Sequence, residues 1–218
     1  NRIEVIVPGT DPQAVNEIKR RITRLGTLEF YITANPQEDS GVIQQGRALS
    51  NETKRVVDAA GNMIAVWLPA YETADGFKRL DRNDAIRRPV KLSRFDDKGN
   101  EEFYDSEEYL VLVDPPDDRV SGKFLTNAGV SSDPTNGSMI VTFRFNQEGA
   151  FRFGKLTDRF KPRTGRPERA LAIVLDGRLY SAPNIRDRIS SNGQISGDFT
   201  RKEATELAAV LNAGALEV

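Results

Sequence analysis

The residues best able to do chemistry in this sequence are carboxylates, because the chain of 218 residues contains neither cysteine nor histidine. Disulfides, thiol nucleophiles, Cys or His metal sites and a Ser-His-Asp triad are therefore excluded. Two acidic stretches remain, Glu101–Glu108 and Asp114–Asp118, and paired carboxylates can do acid–base work or bind a hard cation. Neither stretch has the spacing of an EF-hand loop. A solvated loop face is the preferred interpretation, and no catalytic residue, metal ligand or cofactor is predicted.

Basic residues gather at Lys19–Arg24 and between Asp158 and Arg169. Such clusters could contact the phosphates of RNA or lipid, but a net charge of −1 gives the chain no global basic field. The aromatic signature of RNA-binding sheets is absent. The tripeptide T-G-R at 164–166 lacks the ending of a phosphate-binding loop. Nucleic acid is accordingly not a predicted partner.

The hydrophobic patterns that must position these groups form a strand–helix–strand unit at each end of the chain. The first unit has a strand at Arg2–Gly9, a helix that ends near Gly26 and a strand at Thr27–Thr33. The second has a strand at Ser138–Phe145, then Asn146 as the predicted N-cap of a helix that continues to about residue 160. Joined, the two units predict one antiparallel sheet with helices on one face, an α+β fold of the ferredoxin-like plan.

The stretch AIVLDGRLYSAP at 172–183 contains two strands around a two-residue turn. Asp176-Gly177 is the pattern of a type I′ hairpin. The first strand is apolar on both faces, which indicates a central place in the sheet with material on each side. A last helix begins with the capping box of Thr200 and Glu203 and ends at Gly214.

Pro36–Gly137, between the two units, is too long for a connection and too apolar for a linker. It contains a predicted hairpin around Ala60-Gly61-Asn62. The sequence therefore predicts a base lobe formed by residues 1–35 and 138–218, and an inserted α+β head lobe at 36–137. The turn-type dipeptides Asn35-Pro36 and Asn136-Gly137 are the predicted crossings between the lobes, and hence the hinge.

Aromatic residues are frequent in the predicted head. Core packing is the preferred interpretation, because large apolar side chains are usually buried. Alternatively, some of them line an exposed apolar groove that binds an extended peptide. The residues considered for such a groove are Trp67, Phe77 and Phe95.

The C-terminal third carries an ordered set of motifs. LAIVLDGRLYSAPNI at 171–185 is followed by ISGDFT at 195–200 and by LNAGAL at 211–216. In this order they resemble the first large extracytoplasmic domain of the SecD family, accessory subunits of the bacterial Sec protein-export machinery. The residues that carry the resemblance, with an implied structural role, are Asp176, Gly177, Ser181, Pro183, Gly197, Phe199, Thr200 and Gly214.

The resemblance implies a domain on the periplasmic side of the bacterial inner membrane, tethered by membrane spans, in a SecD subunit or a SecDF fusion. The base would lie near the membrane, and the head would swing and engage the emerging, unfolded preprotein. SecF and the SecYEG channel would be partners through the parent protein. No apolar run approaches the roughly 20 residues of a span, and a chain that opens at Asn1 is expected to be a piece of a longer one.

The resulting hypothesis is a non-enzymatic module that engages preprotein and helps complete export driven by the proton motive force. Two other classes of function stay open. A small-ligand or regulatory domain on a ferredoxin-like scaffold would bind a metabolite saturably. A carboxylate-dependent hydrolase would need two carboxylates that converge in a cleft.

Overall fold

The computed structural model describes residues 27–73, 76–77, 80, 82–95 and 100–214. The α-helices in this part of the chain are α1 (Ser40–Ala48), α2 (Gln147–Phe160) and α3 (Arg201–Gly214). The strands in the same part are β1 (Leu28–Thr33), β2 (Arg55–Val57), β3 (Met63–Pro69), β4 (Glu72–Thr73), β5 (Gly76–Phe77), β6 (Arg87–Phe95), β7 (Glu101–Leu112), β8 (Val120–Ser121), β9 (Leu125–Ser132), β10 (Met139–Phe145), β11 (Leu171–Leu175), β12 (Arg178–Ser181) and β13 (Asn192–Phe199). The fold thus mixes helix and strand, and the predicted first strand and first helix lie outside the described residues.

The larger sheet has the strand order β12-β11-β1-β7-β3-β2, with β6 paired to β7 and β8 paired to β1. This sheet curls, because Ala70 after β3 bridges Leu179 of β12, and the Tyr71 N–H donates to the Leu179 carbonyl at 3.0 Å. An apolar cluster fills the concave face. Its buried members are Tyr31, Ala70, Leu80, Tyr109, Val111, Val113, Ala172, Val174 and Leu179.

The smaller sheet has the order β13-β10-β9. It packs with α2 and α3 against the convex side of β1 and β11, around a core that contains Phe30, Phe143, Phe145 and Phe153. The rings of these phenylalanines pack mostly edge to face, with centroids 4.8–5.8 Å apart. Side chains from the larger sheet, the smaller sheet and the two helices therefore share one core.

β1 and β10, which were predicted to share one antiparallel sheet, lie in different sheets, so this part of the ferredoxin-like prediction is wrong. β10 pairs with β9 and β13, whereas β1 pairs with β11, β7 and β8. The reason is local. β9 was not identified from the sequence, yet it precedes β10 by a short turn, and a short loop makes hairpin pairing inexpensive in chain entropy.

β11 is buried along its whole length, as its apolar sequence predicts. Leu171 and Ile173 face the core shared with α2 and α3, whereas Ala172 and Val174 face the cluster inside the curl. The turn that follows is confirmed as a hairpin, because Asp176 has φ +52° and Gly177 has φ +69°, the positive values that type I′ requires. The strand pair therefore forms the centre of the packing.

Candidate functional site

The chain leaves β1 through a turn that is held by a buried arginine. Arg169, whose side chain is 3% exposed, donates to a carboxylate oxygen of Glu38 at 2.8 Å and of Asp39 at 2.6 Å. The same guanidinium donates to the Thr33 carbonyl at 3.2 Å. The Asn35 N–H donates to Asp39 at 2.7 Å, and Asn35 is itself buried. The first predicted hinge dipeptide therefore begins inside a charge-assisted hydrogen-bond network.

The C-terminal end of α2 gathers a second charged contact beside this network. Two guanidinium groups lie over the Phe160 ring, with Arg159 at 4.5 Å and Arg169 at 5.0 Å from its centroid. Arg159 also pairs with Asp114, which follows β7. The end of α2 therefore contacts the arginine that holds the turn after β1, and it contacts the chain directly where it leaves β7.

The second predicted hinge dipeptide, Asn136-Gly137, lies in the turn between β9 and β10. The Asp133 N–H donates to the Ser138 carbonyl at 2.8 Å, and the Gly137 N–H donates to the Asp133 carbonyl at 2.8 Å. Both flanking strands belong to the smaller sheet. The turn therefore joins neighbouring strands of one sheet, and a lobe boundary at residue 137 would divide a hairpin.

Trp67, the first residue considered for a peptide groove, lies in the core. Its side chain is 1% exposed, and its indole N–H donates to the Gly46 carbonyl at 3.1 Å. The Arg88 guanidinium lies 4.5 Å from the ring centroid and pairs with the buried carboxylate of Glu108. This indole is therefore not available to a peptide at the surface. The side chains of Phe77 and Phe95 lie outside the described part of the structure.

The acidic stretches lie in ion pairs rather than in a shared cleft. On β7, Glu102 pairs with Arg94 at 3.1 Å, and Glu108 pairs with Lys54 as well as with Arg88. After β7, Asp118 pairs with Lys155 of α2 at 2.7 Å. Within the described ranges there is no group of three or more residues that could hold a metal ion. These carboxylates therefore link strands and α2.

The candidate site is a cleft of about 1070 Å³ that is lined by residues of β9, β10 and β13 and by the segment 183–189 that follows β12. Apolar side chains of Phe143, Leu171, Ile185 and Ile195 contribute to its lining, and each of them is buried. Polar and charged side chains also line it, namely Thr126, Asn127, Thr142, Arg144, Asn184, Arg186, Asp187, Arg188, Asn192, Gln194 and Ser196. Sequence inspection did not find this cleft, because it depends on the pairing of residues far apart in the chain.

Of the motif residues identified from the sequence, Pro183 lines the cleft, and the others lie in the hairpin of β11 and β12, in β13 or at the ends of α3. The Pro183 carbonyl accepts the Leu171 N–H at 2.9 Å, and Phe199 pairs with Met139 where β13 ends. Gly197 lies in β13, Ser181 ends β12 and Gly214 ends α3. The predicted capping box is present, since the Thr200 N–H donates to Glu203 at 2.8 Å and the Glu203 N–H donates to the Thr200 hydroxyl at 3.2 Å. These contacts fit a structural role.

A family model described as SecDF, P1 head subdomain, matches residues 96–218, more than half of the chain. The chain belongs to the SecD/SecDF family. The range matched by the SecDF head model includes residues 138–218, which the sequence assigned to the base. The division of this SecD-type chain into lobes therefore stays a prediction.

Several SecD proteins align with nearly the whole chain. The protein translocase subunit SecD of Rhodobacter capsulatus is 43% identical over an alignment of 229 residues, which covers 95% of this chain and 38% of that protein. SecD of Aquifex aeolicus is 38% identical over 204 residues, which cover 94% and 36%. A solved structure of SecDF, described as a membrane component that enhances protein export, is 24% identical with a TM-score of 0.45, covering 98% of this chain and 74% of that one. The chain spans little more than a third of the length of these SecD relatives.

The two SecD relatives are described as protein translocase subunits, and the solved SecDF is described as a membrane component. In the part of this chain that the structure describes, no helix has both the length and the apolar composition needed to cross a membrane.

Proposed function

We propose that the chain is the part of a bacterial SecD subunit that engages unfolded preprotein on the periplasmic side of the inner membrane. It helps to complete export driven by the proton motive force, and it acts by binding and motion without catalysis. Its partners are the preprotein and, through the parent membrane protein, SecF and the SecYEG channel. The cleft beside β13, in a chain of this family, is the observation that carries the proposal.

The composition of the cleft suits a transient grip on an unfolded polypeptide. Its lining combines the partly exposed apolar side chains of Pro183 and Ile189 with a polar rim. An unfolded chain exposes apolar side chains and unpaired backbone groups, and a folded protein buries or pairs most of both. A cleft that offers partners to both kinds of group binds many unfolded sequences and releases them as they fold.

The proposal is tested by fluorescence anisotropy. A labelled secretory precursor, kept unfolded, is titrated with the 218-residue chain, and the same precursor in its folded state is the control. We expect saturable binding of the unfolded form with a dissociation constant below about 0.1 mM, a binding free energy near 5 kcal/mol, and no binding of the folded form. Equal binding of the two forms, or none at this concentration, contradicts the proposal.

A further inference from the structure

We propose that the cleft binds its guest, an extended stretch of unfolded polypeptide, by strand addition. An extended polypeptide pairs with the outer edge of β13 and places a carboxylate side chain against the arginines of the cleft. This inference rests on the proposed function, since it specifies how an unfolded preprotein is bound. It assigns the hydrogen-bonding edge, the backbone groups used and the charge of the preferred guest.

The register of the smaller sheet shows which backbone groups of β13 point away from β10. The Phe145 N–H donates to the Ser191 carbonyl at 2.8 Å. Hydrogen-bonded pairs of an antiparallel ladder recur every second residue, so Phe143↔Gly193 and Val141↔Ile195 are the next such pairs. The N–H and carbonyl groups of the residues between them, including Gln194, therefore point to the other side of the strand.

That side of β13 opens into the cleft. β13 is the last strand of its sheet within the described residues, and residues 192–196 all line the cleft. Consecutive residues project from both faces of a strand, so a cleft lined by five in a row runs along the strand edge. The exposed Gln194 lies at the middle of this run. An extended polypeptide backbone matches an edge of alternating donors and acceptors along its length.

The opposite edge of the same sheet is partly covered by α3, which favours β13 as the edge that accepts a guest. The Ala128 N–H donates to the Asn212 side-chain oxygen at 2.8 Å, and the Asn212 amide donates back to the Ala128 carbonyl at 2.8 Å. The amide of α3 thus occupies the position that a neighbouring strand would take. The same alternation predicts that Ala128 points outward from β9, so this contact supports the assignment for Gln194.

The charges around the cleft select the guest. Arg144, Arg186 and Arg188 line it together with a single carboxylate residue, Asp187. All three arginines are exposed, and Arg186 makes an exposed pair with Glu168 at 3.2 Å. Guanidinium groups bind carboxylates with both charge and directed hydrogen bonds. An extended guest with a glutamate near its centre is therefore favoured over the same guest with a lysine.

Peptides test the proposal without altering the protein. The probe is a labelled nine-residue peptide of alternating apolar and polar residues with one central glutamate, titrated with the 218-residue chain at low salt. Methylation of its backbone nitrogens at alternate residues removes the donors that strand addition needs, and we expect affinity to fall at least about tenfold. Replacing the glutamate by lysine is expected to weaken binding by a similar factor, and added salt should reduce that difference.

Protein variants supply the matched control. Gln194→Pro removes one outward N–H, which leaves the ladder to β10 intact, whereas Gln194→Ala keeps the N–H and removes the side chain. We expect Gln194→Pro to lose binding about tenfold and Gln194→Ala to bind as the parent does. Thermal melting checks the fold of both variants, and the methylated peptide decides the matter if Gln194→Pro is unfolded.

The outcomes separate this inference from the proposed function. If unfolded precursor binds but methylation and Gln194→Pro change nothing, strand addition is wrong and the proposed function stands. If no unfolded polypeptide binds, the proposed function itself fails. If the chain self-associates and Gln194→Pro abolishes that association, the guest of the edge is a second copy and the proposal is wrong.

Discussion

Arg169 and Arg166 allow a comparison of a buried and an exposed arginine on the same carboxylate, because both contact Glu38. The Arg169 side chain is 3% exposed and that of Arg166 is 54% exposed. Removing one partner of a buried ion pair leaves an uncompensated buried charge, whereas an exposed pair contributes little. The contacts of Arg169 and Arg166 therefore contribute different amounts to the free energy of unfolding, although both arginines contact Glu38.

We predict that Arg169→Met lowers the free energy of unfolding by about 3 kcal/mol, because the Asp39 carboxylate loses its cationic partner and the Thr33 carbonyl loses the guanidinium donor. Arg166→Met should cost less than about 1 kcal/mol. Urea unfolding followed by circular dichroism measures both. Equal losses for the two variants would show that burial does not determine the strength of this contact.

Tyr180 makes the free energy of unfolding depend on pH. Burial, followed by the nearby carboxylate of Glu206, raises its pKa from 10.0 to about 12. The Tyr180 phenol ionises near pH 10 in the unfolded chain and only near pH 12 in the folded protein. Its contribution to the free energy of unfolding is therefore fully present below pH 10 and is lost as the pH rises from about 10 to about 12. The Tyr180→Phe variant should lose less stability over that interval, by up to about 2 kcal/mol.

Urea unfolding of the parent and of Tyr180→Phe at several pH values between 9 and about 12 measures this difference. The comparison with the parent removes the effect of other groups that ionise there. Parallel losses of stability in the two proteins would contradict the assignment.

At the scale of the elements, β13 needs a glycine at position 193 because the Phe143 ring of β10 lies against its backbone. A Cβ atom there would lie 2.2 Å from Cζ of Phe143, whereas a Cβ at Gly129, on the other edge strand, would meet its nearest atom at 3.9 Å. We predict that Gly193→Ala costs about 1–3 kcal/mol by overpacking. Gly129→Ala should be neutral or stabilise by up to about 1 kcal/mol.

Thermal unfolding of both glycine variants provides the measurement, and their NMR amide spectra show whether the sheet moves. The explanation by close contact fails if Gly193→Ala is as stable as Gly129→Ala.

The edge of β9 gives a second prediction for this sheet. Asn212→Ala removes both contacts to Ala128 and is expected to cost about 1–3 kcal/mol. Asn212→Asp keeps an acceptor for the Ala128 N–H but places a carboxylate oxygen against the Ala128 carbonyl, so it should also lose stability. Chemical denaturation compares both variants with the parent, and an Asn212→Asp variant as stable as the parent would contradict the pairing.

Local features were predictable from the sequence because neighbouring residues determine them. The hairpin at Asp176-Gly177, the capping box at Thr200 and the N-cap at Asn146, whose side chain accepts the Gly149 N–H at 2.8 Å, are all present. The hairpin predicted around residues 60–62 is also present, formed by β2 and β3. Each depends on backbone preferences within a few residues.

The non-local features could not be predicted in this way. Arg169 contacts Thr33 across 136 positions of sequence, and Asn212 contacts Ala128 across 84. Nothing in the type of either residue distinguishes it from a solvated one. The partners of β10 were mistaken for the same reason, since alternation identifies a strand and its buried face but not its neighbour.

At the scale of the whole molecule, β11 joins the parts. One of its faces packs against α2, α3 and the smaller sheet, and the other packs inside the curl of the larger sheet. β13 and the segment after β12 form the walls of the cleft, and the hairpin of β11 and β12 holds that segment. A rigid centre with a cleft at its side is the arrangement that the proposed grip on preprotein requires.

Site-specific photo-crosslinking during export tests the central claim most directly. A photoreactive amino acid replaces residue 194 in a SecD subunit that carries this chain, in cells that hold a precursor stalled in the channel, and the exposed Gln147 of α2, away from the cleft, is the control position. The account predicts an adduct between position 194 and the stalled precursor and none at position 147. Absence of the adduct at 194 while the subunit supports export, or equal adducts at both positions, would contradict it.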